Sequence, residues 1–137
     1  MKTKTGKGFL ILLLFLGGMS LNTVMAQSSN WTAPKSADLI KPTVDLKSPN
    51  VISEGKKLYT QLCAICHGDK GKGDGVAGMA LNPRPKNFTT SKFQAQSDGA
   101  IYWKMTEGNP PMAPYKETLT EKQRWELVAY LRTLAKK

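Results

Sequence analysis

The sequence predicts an all-α domain, and three observations favour this class over one that contains a sheet. Apolar residues recur at three- or four-residue spacing in three segments, at about 51–67, 97–108 and 120–134. The stretches between them are rich in glycine and proline, as loops are. No segment shows the sustained alternation of polar and apolar residues that a half-buried strand requires. Residues 51–137 are therefore expected to form one helical domain.

Each predicted helix has recognisable ends. The first begins near residue 51 and stops before Gly68, and its apolar positions are Val51, Ile52, Leu58, Tyr59, Leu62 and Ile65. The second has Ser97 at its N-cap and Gly108 at its end. The third begins with a capping box formed by Thr120 and Gln123. Its apolar stripe consists of Leu127, Val128, Leu131 and Leu134, flanked by Trp125 and Tyr130.

The remaining segments are predicted to be irregular. Residues 68–96 contain five glycines and two prolines, which is typical of a long loop. Residues 109–115 contain three prolines, which fix φ and remove backbone donors. Residues 27–50 contain three more prolines and no sustained period, so we expect an extended lead-in there.

The N-terminal 26 residues have the pattern of a secretory signal peptide. Three lysines precede an apolar run at residues 9–16, and small residues surround a plausible cut after Ala26. Cleavage there would leave 111 residues with 17 basic and 10 acidic side chains, formally +7. The alternative is an uncleaved membrane anchor, because apolar residues continue to Met25. Export predicts a periplasmic location, which permits disulfides.

Both cysteines and the only histidine of the chain lie within five residues, in the stretch CAICH at 63–67. A helix advances about 100° per residue, so Cys63, Cys66 and His67 share one side at the end of the first helix. Two thiols there can add to the two vinyl groups of one porphyrin edge, and the imidazole can bind the iron. Cys-x-x-Cys-His is the signature of c-type haem attachment, so we predict one covalently bound haem c.

Other thiol chemistries fit these residues less well. A structural zinc site needs four ligands, and the chain offers only three cysteine or histidine side chains. A thioredoxin-like dithiol expects a βαβ setting, which the helical pattern lacks. A plain disulfide between Cys63 and Cys66 would leave the adjacent His67 unexplained. Haem attachment accounts for all three side chains.

Three motifs follow one another along the chain: CAICH (63–67), GNPPMAPY (108–115) and ELVAYLRTL (126–134). In this order they resemble the class I c-type cytochromes, and GKGDGVAGMALNPRPKNF (71–88) resembles the small bacterial monohaem members found with respiratory complexes. The resemblance implies that N- and C-terminal helices cross around one haem. Gly55 and Tyr59 match the crossing positions in the first helix, and Leu127 and Tyr130 match their partners.

The second iron ligand is less directly specified. No second histidine exists, and the methionines beyond residue 26 are Met79, Met105 and Met112. Met105 fits a core position, and Met79 fits packing at the ring edge. Because the family places its ligand methionine in a proline-rich loop before the last helix, the resemblance implies that His67 and Met112 bind the iron. Another methionine, a lysine, the N-terminal amine or an open position remain the alternatives.

Weaker candidates surround this set. The haem propionates have three candidate partners, which are Trp103, Arg84 and Asn87. Trp103 is equally well explained as a core aromatic. Many relatives have proline where this chain has Val76, near the carbonyl that accepts the N–H of the axial histidine. The acceptor is therefore expected to lie either near Val76 or near Pro83.

Six lysines flank the haem-binding segments and form either a solvated face or a positive ring around the haem edge. They are Lys56, Lys57, Lys70, Lys72, Lys86 and Lys104. A positive ring would suit acidic redox proteins or an anionic membrane surface, whereas nucleic acid is an implausible partner for an exported haem protein.

The resemblance implies an electron carrier with no catalytic residues. Filled histidine–methionine coordination favours electron transfer over catalysis. The expected donor is a quinol-oxidising complex or a dehydrogenase, and the expected acceptor is a terminal oxidase or reductase. One alternative is a haem enzyme or gas sensor with an open sixth position on the iron. The other is a cytochrome subunit of a respiratory complex, tethered to the membrane through residues 1–26.

Overall fold

The computed structural model describes residues 31–136, and within this range five α-helices form the framework. They are α1 (Pro49–Leu62), α2 (Ala64–His67), α3 (Ser91–Gln94), α4 (Asp98–Glu107) and α5 (Glu121–Thr133). The described residues contain no β-strand, so the all-α prediction is confirmed. The segment interpreted as a signal peptide, residues 1–26, lies outside the described residues.

The first and last long helices cross in close contact, as the resemblance implied. A Cβ atom on Gly55 would lie only 1.9 Å from the carbonyl oxygen of Glu126 and 3.1 Å from the Cβ of Tyr130. One helical turn later, the rings of Tyr59 and Tyr130 are 5.1 Å apart. The side chains of Tyr59 and Leu127 are fully buried at this crossing. Glycine is required at position 55 because the two backbones approach too closely for a side chain.

A buried arginine attaches α4 and the segment before α5 to the core. The guanidinium of Arg124 donates to the carbonyl oxygens of Leu119 at 2.6 Å and Lys116 at 3.0 Å. It also donates to the hydroxyl of Tyr102, at 2.8 Å. The Tyr102 ring stacks on Trp125 at 4.1 Å. These contacts compensate the charge with hydrogen bonds, as burial of a guanidinium requires.

The helix ends largely follow the predicted signals. Ser97 accepts a hydrogen bond from the backbone N–H of Ala100, and α4 ends at Gly108, whose φ is 67°. Both halves of the capping box at Thr120 and Gln123 are present at the start of α5. The first predicted helix differs in one respect. It is interrupted at Cys63, whose φ of −113° separates α1 from α2.

Residues 31–48, which we call the N-terminal strap, pack along α4 and contain a 3₁₀ helix at Lys35–Leu39. Ala37 is only 1% exposed, and its carbonyl oxygen lies 2.1 Å from where a Cβ on Gly99 would be. The Ser97 hydroxyl donates to the carboxylate of Asp38. This differs from the extended lead-in expected from the sequence. The order comes from contacts with α4, which local periodicity does not reveal.

The long loop after α2 returns repeatedly to the helices. The amide of Gly73 donates to the carbonyl of His67 at 2.8 Å, and the amide of Phe88 donates to that of Gly71 at 2.7 Å. Gly71 and Gly73 have φ values of 68° and 79°, a region that glycine adopts without steric cost. Among residues 31–136, none of the helices has the length and apolar character that crossing a bilayer needs.

Candidate functional site

The two cysteines and the histidine project from one turn of backbone at the end of α1. The amides of Cys66 and His67 both donate to the carbonyl of Cys63, at 3.1 and 2.8 Å. All three side chains are partly buried, and neither cysteine is in a disulfide. The predicted grouping of these three residues is therefore present, with both thiols available for covalent attachment of another group.

The imidazole of His67 is oriented by a backbone carbonyl. Its Nδ1 lies 3.3 Å from the carbonyl oxygen of Lys86. Because a carbonyl only accepts, Nδ1 carries the proton and the lone pair is on Nε2, the arrangement of a metal-binding histidine. Burial lowers the pKa of His67, although the hydrogen bond from its ring to Lys86 opposes this. The ring also stacks on Phe88, with centroids 4.3 Å apart.

This contact identifies the acceptor that the sequence left open. The expected positions were near Val76 or near Pro83, and the observed acceptor, Lys86, follows Pro83 by three residues. The backbone next to Val76 has another role, since the amide of Ala77 donates to the carbonyl of Ile65 at 3.0 Å. The loop carrying Val76 therefore packs against α2 through its main chain.

The thiol of Cys63 is in a low-dielectric setting. Burial raises the pKa of Cys63 to about 12, and the neighbouring Cys66 contributes in the same direction. The Cys63 side chain is therefore a neutral S–H group at physiological pH. Addition of this thiol across a vinyl group of a haem would form one C–S and one C–H bond, and the S–H group would supply the hydrogen of the new C–H bond.

The loop that carries Met112 is a tight turn after α4. The amides of Asn109 and Met112 each donate to the other residue's carbonyl, at 3.0 and 2.9 Å. Gly108 precedes the turn with a positive φ, and a Cβ there would lie 2.6 Å from the nitrogen of Pro114. Met112 itself is partly buried.

Tyr115 places this loop beside the cysteines. Its hydroxyl donates to the carbonyl of Leu62, at 3.3 Å, and Leu62 directly precedes Cys63. Its amide donates to the carbonyl of Met105 in α4, at 3.1 Å. Burial raises the pKa of the Tyr115 phenol, with smaller contributions from Cys63 and Cys66. The proline-rich loop is thus held near the attachment residues, and ligation of iron by Met112 stays a prediction.

The other two methionines lie in different surroundings. Met105 is 7% exposed and belongs to the hydrophobic core, consistent with its interpretation as a core residue. Met79 lies in a 3₁₀ turn at Gly78–Ala80 and is 54% exposed. A buried core position and an exposed turn are both unlike the short proline-flanked turn of Met112.

The weaker candidates have other contacts. Trp103 packs on Trp31 of the N-terminal strap, with ring centroids 6.3 Å apart. The side-chain oxygen of Asn87 accepts hydrogen bonds from the amide and the hydroxyl of Thr89, at 2.9 and 2.8 Å. Arg84 is exposed. No propionate role follows from these contacts, and that interpretation remains a prediction.

Two groups that contribute to the site were not recognised from the sequence. Tyr115 was noted only as the last letter of a motif, and the carbonyl of Lys86 was not singled out. A tyrosine three residues after Met112 was a usable signal for the first. No side-chain signal exists for the second, because a backbone carbonyl acts there.

The six flanking lysines do not form a uniform ring. Lys57 pairs with Glu54 at 2.7 Å. Lys104 is directed toward the N-terminal strap, with its ammonium 5.5 Å from the centroid of the Trp31 ring. Burial lowers the pKa of Lys104, and the charge of Lys86 adds to that effect. Lys56, Lys70 and Lys72 are exposed and are the lysines of this set that a partner is expected to meet.

An apolar patch lies next to the attachment residues. Ile65 is 56% exposed and Val76 is 74% exposed, and the hydrogen bond from Ala77 to Ile65 brings their segments together. The charged residues Lys70, Lys72, Asp69 and Asp74 line the same cleft as these two residues. An exposed apolar centre surrounded by charged residues is the composition expected of a transient protein interface.

The donor set fits a haem c. Two thiols lie three residues apart and outside any disulfide, and the adjacent imidazole has its Nδ1 occupied by a carbonyl. Cys63 and Cys66 would hold the porphyrin covalently, and His67 would bind the iron. The iron supplies one-electron redox chemistry when the haem is bound.

Comparison with known proteins agrees with this assignment. The family model described as cytochrome c oxidase, cbb3-type, subunit III matches residues 50–131. The reducing HAO-like protein complex Kustc0457/Kustc0458 of Kuenenia stuttgartiensis contains a chain 31% identical to this one, with a TM-score of 0.59. The match covers 70% of this chain and 51% of that chain, so this protein spans about half the length of that relative.

A second solved structure, the c-type cytochrome KustC0563, is 34% identical, with a TM-score of 0.50. Here the match covers 60% of this chain and 98% of the other. No match was found among curated proteins. The family model spans more than half of the sequence, and the solved relatives include a c-type cytochrome. The chain therefore belongs to the family described as cytochrome c oxidase, cbb3-type, subunit III, and is a class I c-type cytochrome with covalently bound haem c.

Proposed function

We propose that this protein is a periplasmic single-electron carrier whose haem iron is bound by His67 and Met112. It receives electrons from a quinol-oxidising complex or a dehydrogenase and passes them to a terminal oxidase or reductase. Family membership supports haem-based electron transfer. The ligand pair, the location and the partners are the parts of the proposal that need experiments.

One observation carries the ligand assignment. The hydroxyl of Tyr115 bonds the carbonyl of Leu62, at 3.3 Å, which holds the Met112 loop beside Cys63. A thioether ligand raises the reduction potential, and a filled coordination sphere leaves no position for oxygen or substrate. Because His67 is fixed by Lys86 and Met112 by a short turn, neither ligand has to move when the iron changes charge. That rigidity suits electron transfer.

The test compares Met112→Ala with Met79→Ala. Met112→Ala should keep the haem attached, because Cys63, Cys66 and His67 are unchanged. It should abolish the weak near-infrared sulfur-to-iron band, lower the reduction potential and allow the ferrous protein to bind carbon monoxide. Met79→Ala, at a position 54% exposed, should leave all three properties unchanged. A near-infrared band that survives in Met112→Ala would contradict the assignment.

Met105→Ala separates ligation from packing. Met105 is 7% exposed, and truncating a buried methionine costs about 2–5 kcal/mol of stability. We expect this variant to unfold at a lower temperature but to keep the near-infrared band. A wild-type protein that lacks the band and binds carbon monoxide would instead favour a haem enzyme or gas sensor with an open sixth position.

A second candidate function is supported by the comparisons. The matching family is described as an oxidase subunit, and one solved relative is part of a complex. The protein would then be a fixed cytochrome subunit, tethered through residues 1–26. Release by osmotic shock distinguishes the candidates, because a free carrier is released and a tethered subunit stays with the membrane fraction.

A further inference from the structure

The interruption of the first helix at Cys63 leaves one carbonyl without its helical partner. In a continuous helix the amide of Cys66 would bond the carbonyl of Leu62, four residues before it. Here that amide donates to Cys63 instead, at 3.1 Å. The last carbonyls of a helix need another donor. The hydroxyl of Tyr115 supplies it for Leu62, at 3.3 Å.

The same tyrosine is held on its other side by α4 and α5. Its amide donates to the carbonyl of Met105, at 3.1 Å. Its own carbonyl accepts from the amide of Leu119 at 3.1 Å and from Arg124 at 3.4 Å. The backbone of Tyr115 is therefore fixed, and its hydroxyl extends from a rigid position to the residue before Cys63.

Because Tyr115 is close to Met112 in the sequence, its bond to Leu62 also restrains Met112. Met112 is three residues away, and Pro114 between them limits backbone rotation. The other end of the loop is fixed where the amide of Gly108 bonds the carbonyl of Lys104, at 2.9 Å. A loop closed at both ends by such contacts has few conformations in which Met112 can leave its place.

We propose that Tyr115 is a positioning residue, whose hydroxyl bond to Leu62 keeps the Met112 loop closed beside the attachment segment, where Met112 would bind the iron. The bond links the loop to the covalent attachment segment itself. Opening of the Met112 loop must break the bond between Tyr115 and Leu62. The free energy of that bond therefore contributes directly to the equilibrium between the closed and the open loop. This inference rests on the proposed ligation by Met112.

The test is imidazole binding to the ferric holoprotein, because imidazole binds iron only when the methionine has left. Tyr115→Phe removes one oxygen and keeps the ring. We expect imidazole to bind about fivefold more tightly, the factor that one ordinary hydrogen bond provides. Tyr130→Phe is the matched control. It makes the same chemical change at the crossing of α1 and α5, keeps the ring contact with Tyr59 and the close approach of the two backbones at Gly55, and should therefore leave the affinity unchanged.

Met112→Ala in the same assay separates this proposal from the one on which it rests. If Met112→Ala binds imidazole no more tightly than wild type, the ligand assignment fails. If Met112→Ala binds it more tightly but Tyr115→Phe does not, only the role of Tyr115 fails. The double variant should match Met112→Ala, because the loop no longer limits access once the ligand is gone. A further gain in the double variant would show that the Tyr115 hydroxyl acts on imidazole access by another route.

Discussion

Replacing Gly55 with alanine tests the helix crossing that supports the haem site. The new Cβ would lie 1.9 Å from the Glu126 carbonyl oxygen and 2.5 Å from its carbon, and both atoms are backbone. Ordinary contact needs about 3.5 Å, so α5 must retreat by roughly 1.5 Å. Overpacking costs about 1–3 kcal/mol, and a backbone obstacle places this variant at the upper end. Alanine favours the helix over glycine by about 1 kcal/mol, so the net loss of stability is about 2 kcal/mol.

Thermal unfolding of the holoprotein, followed by far-ultraviolet circular dichroism, measures this loss. A net loss of about 2 kcal/mol lowers the melting temperature by roughly 8–16 °C in a domain of this size. Ser53→Ala is the control, because Ser53 is an exposed residue of α1 and should change stability by less than about 0.5 kcal/mol. The direction of the change in melting temperature decides the test. A Gly55→Ala protein as stable as wild type would show that the two backbones do not approach as described.

Two further predictions address haem attachment and docking. Cys63→Ser or Cys66→Ser alone should leave one thioether bond, and the double variant should retain no covalent haem, as judged by haem staining after denaturing electrophoresis. Covalent haem in the double variant would contradict the attachment. Reversing the charges of Lys70 and Lys72 to glutamate should slow electron exchange with an acidic redox partner at low salt and reduce the salt dependence of its rate, because charge acts mainly on association. Lys57→Glu is the control, since Lys57 already pairs with Glu54, and equal effects at both sites would argue against a localised docking surface.

Much of the fold could be predicted because its signals are local. The capping box at Thr120 and the stop at Gly108 fix helix ends through nearby backbone groups, and both are found where expected. The crossing at Gly55 was recognised through a family pattern. The Cys-x-x-Cys-His stretch needed only helical spacing for its three side chains to be grouped.

The features that could not be predicted depend on contacts between distant segments. The N-terminal strap is ordered by its contact with Gly99, which is about sixty residues away from it in the sequence. The acceptor for His67 is the carbonyl of Lys86, and every residue type carries a carbonyl. The bond from Tyr115 to Leu62 depends on the interruption at Cys63, which the apolar periodicity of the first helix conceals.

The C-terminal turn of α1 connects the two sides of the proposed iron site. The hydroxyl of Tyr59 donates to the carbonyl of Gly68, at 2.6 Å, just after His67. The hydroxyl of Tyr115 donates to the carbonyl of Leu62 on the other side. Burial raises the pKa of both phenols, so both remain protonated donors at physiological pH.

The crossing at Gly55 lies one turn before Tyr59, and α5 therefore stabilises the same helix end that holds both loops. A shift of α1 away from α5 would displace Tyr59, which holds the backbone just after His67, together with Leu62, which holds the Met112 loop. Electron transfer benefits from iron ligands that stay in place in both oxidation states, and for the proposed ligands His67 and Met112 a shared anchor on one helix pair would provide this. The close contact of two helix backbones is thus part of the redox site, although no residue of the crossing is expected to bind the iron.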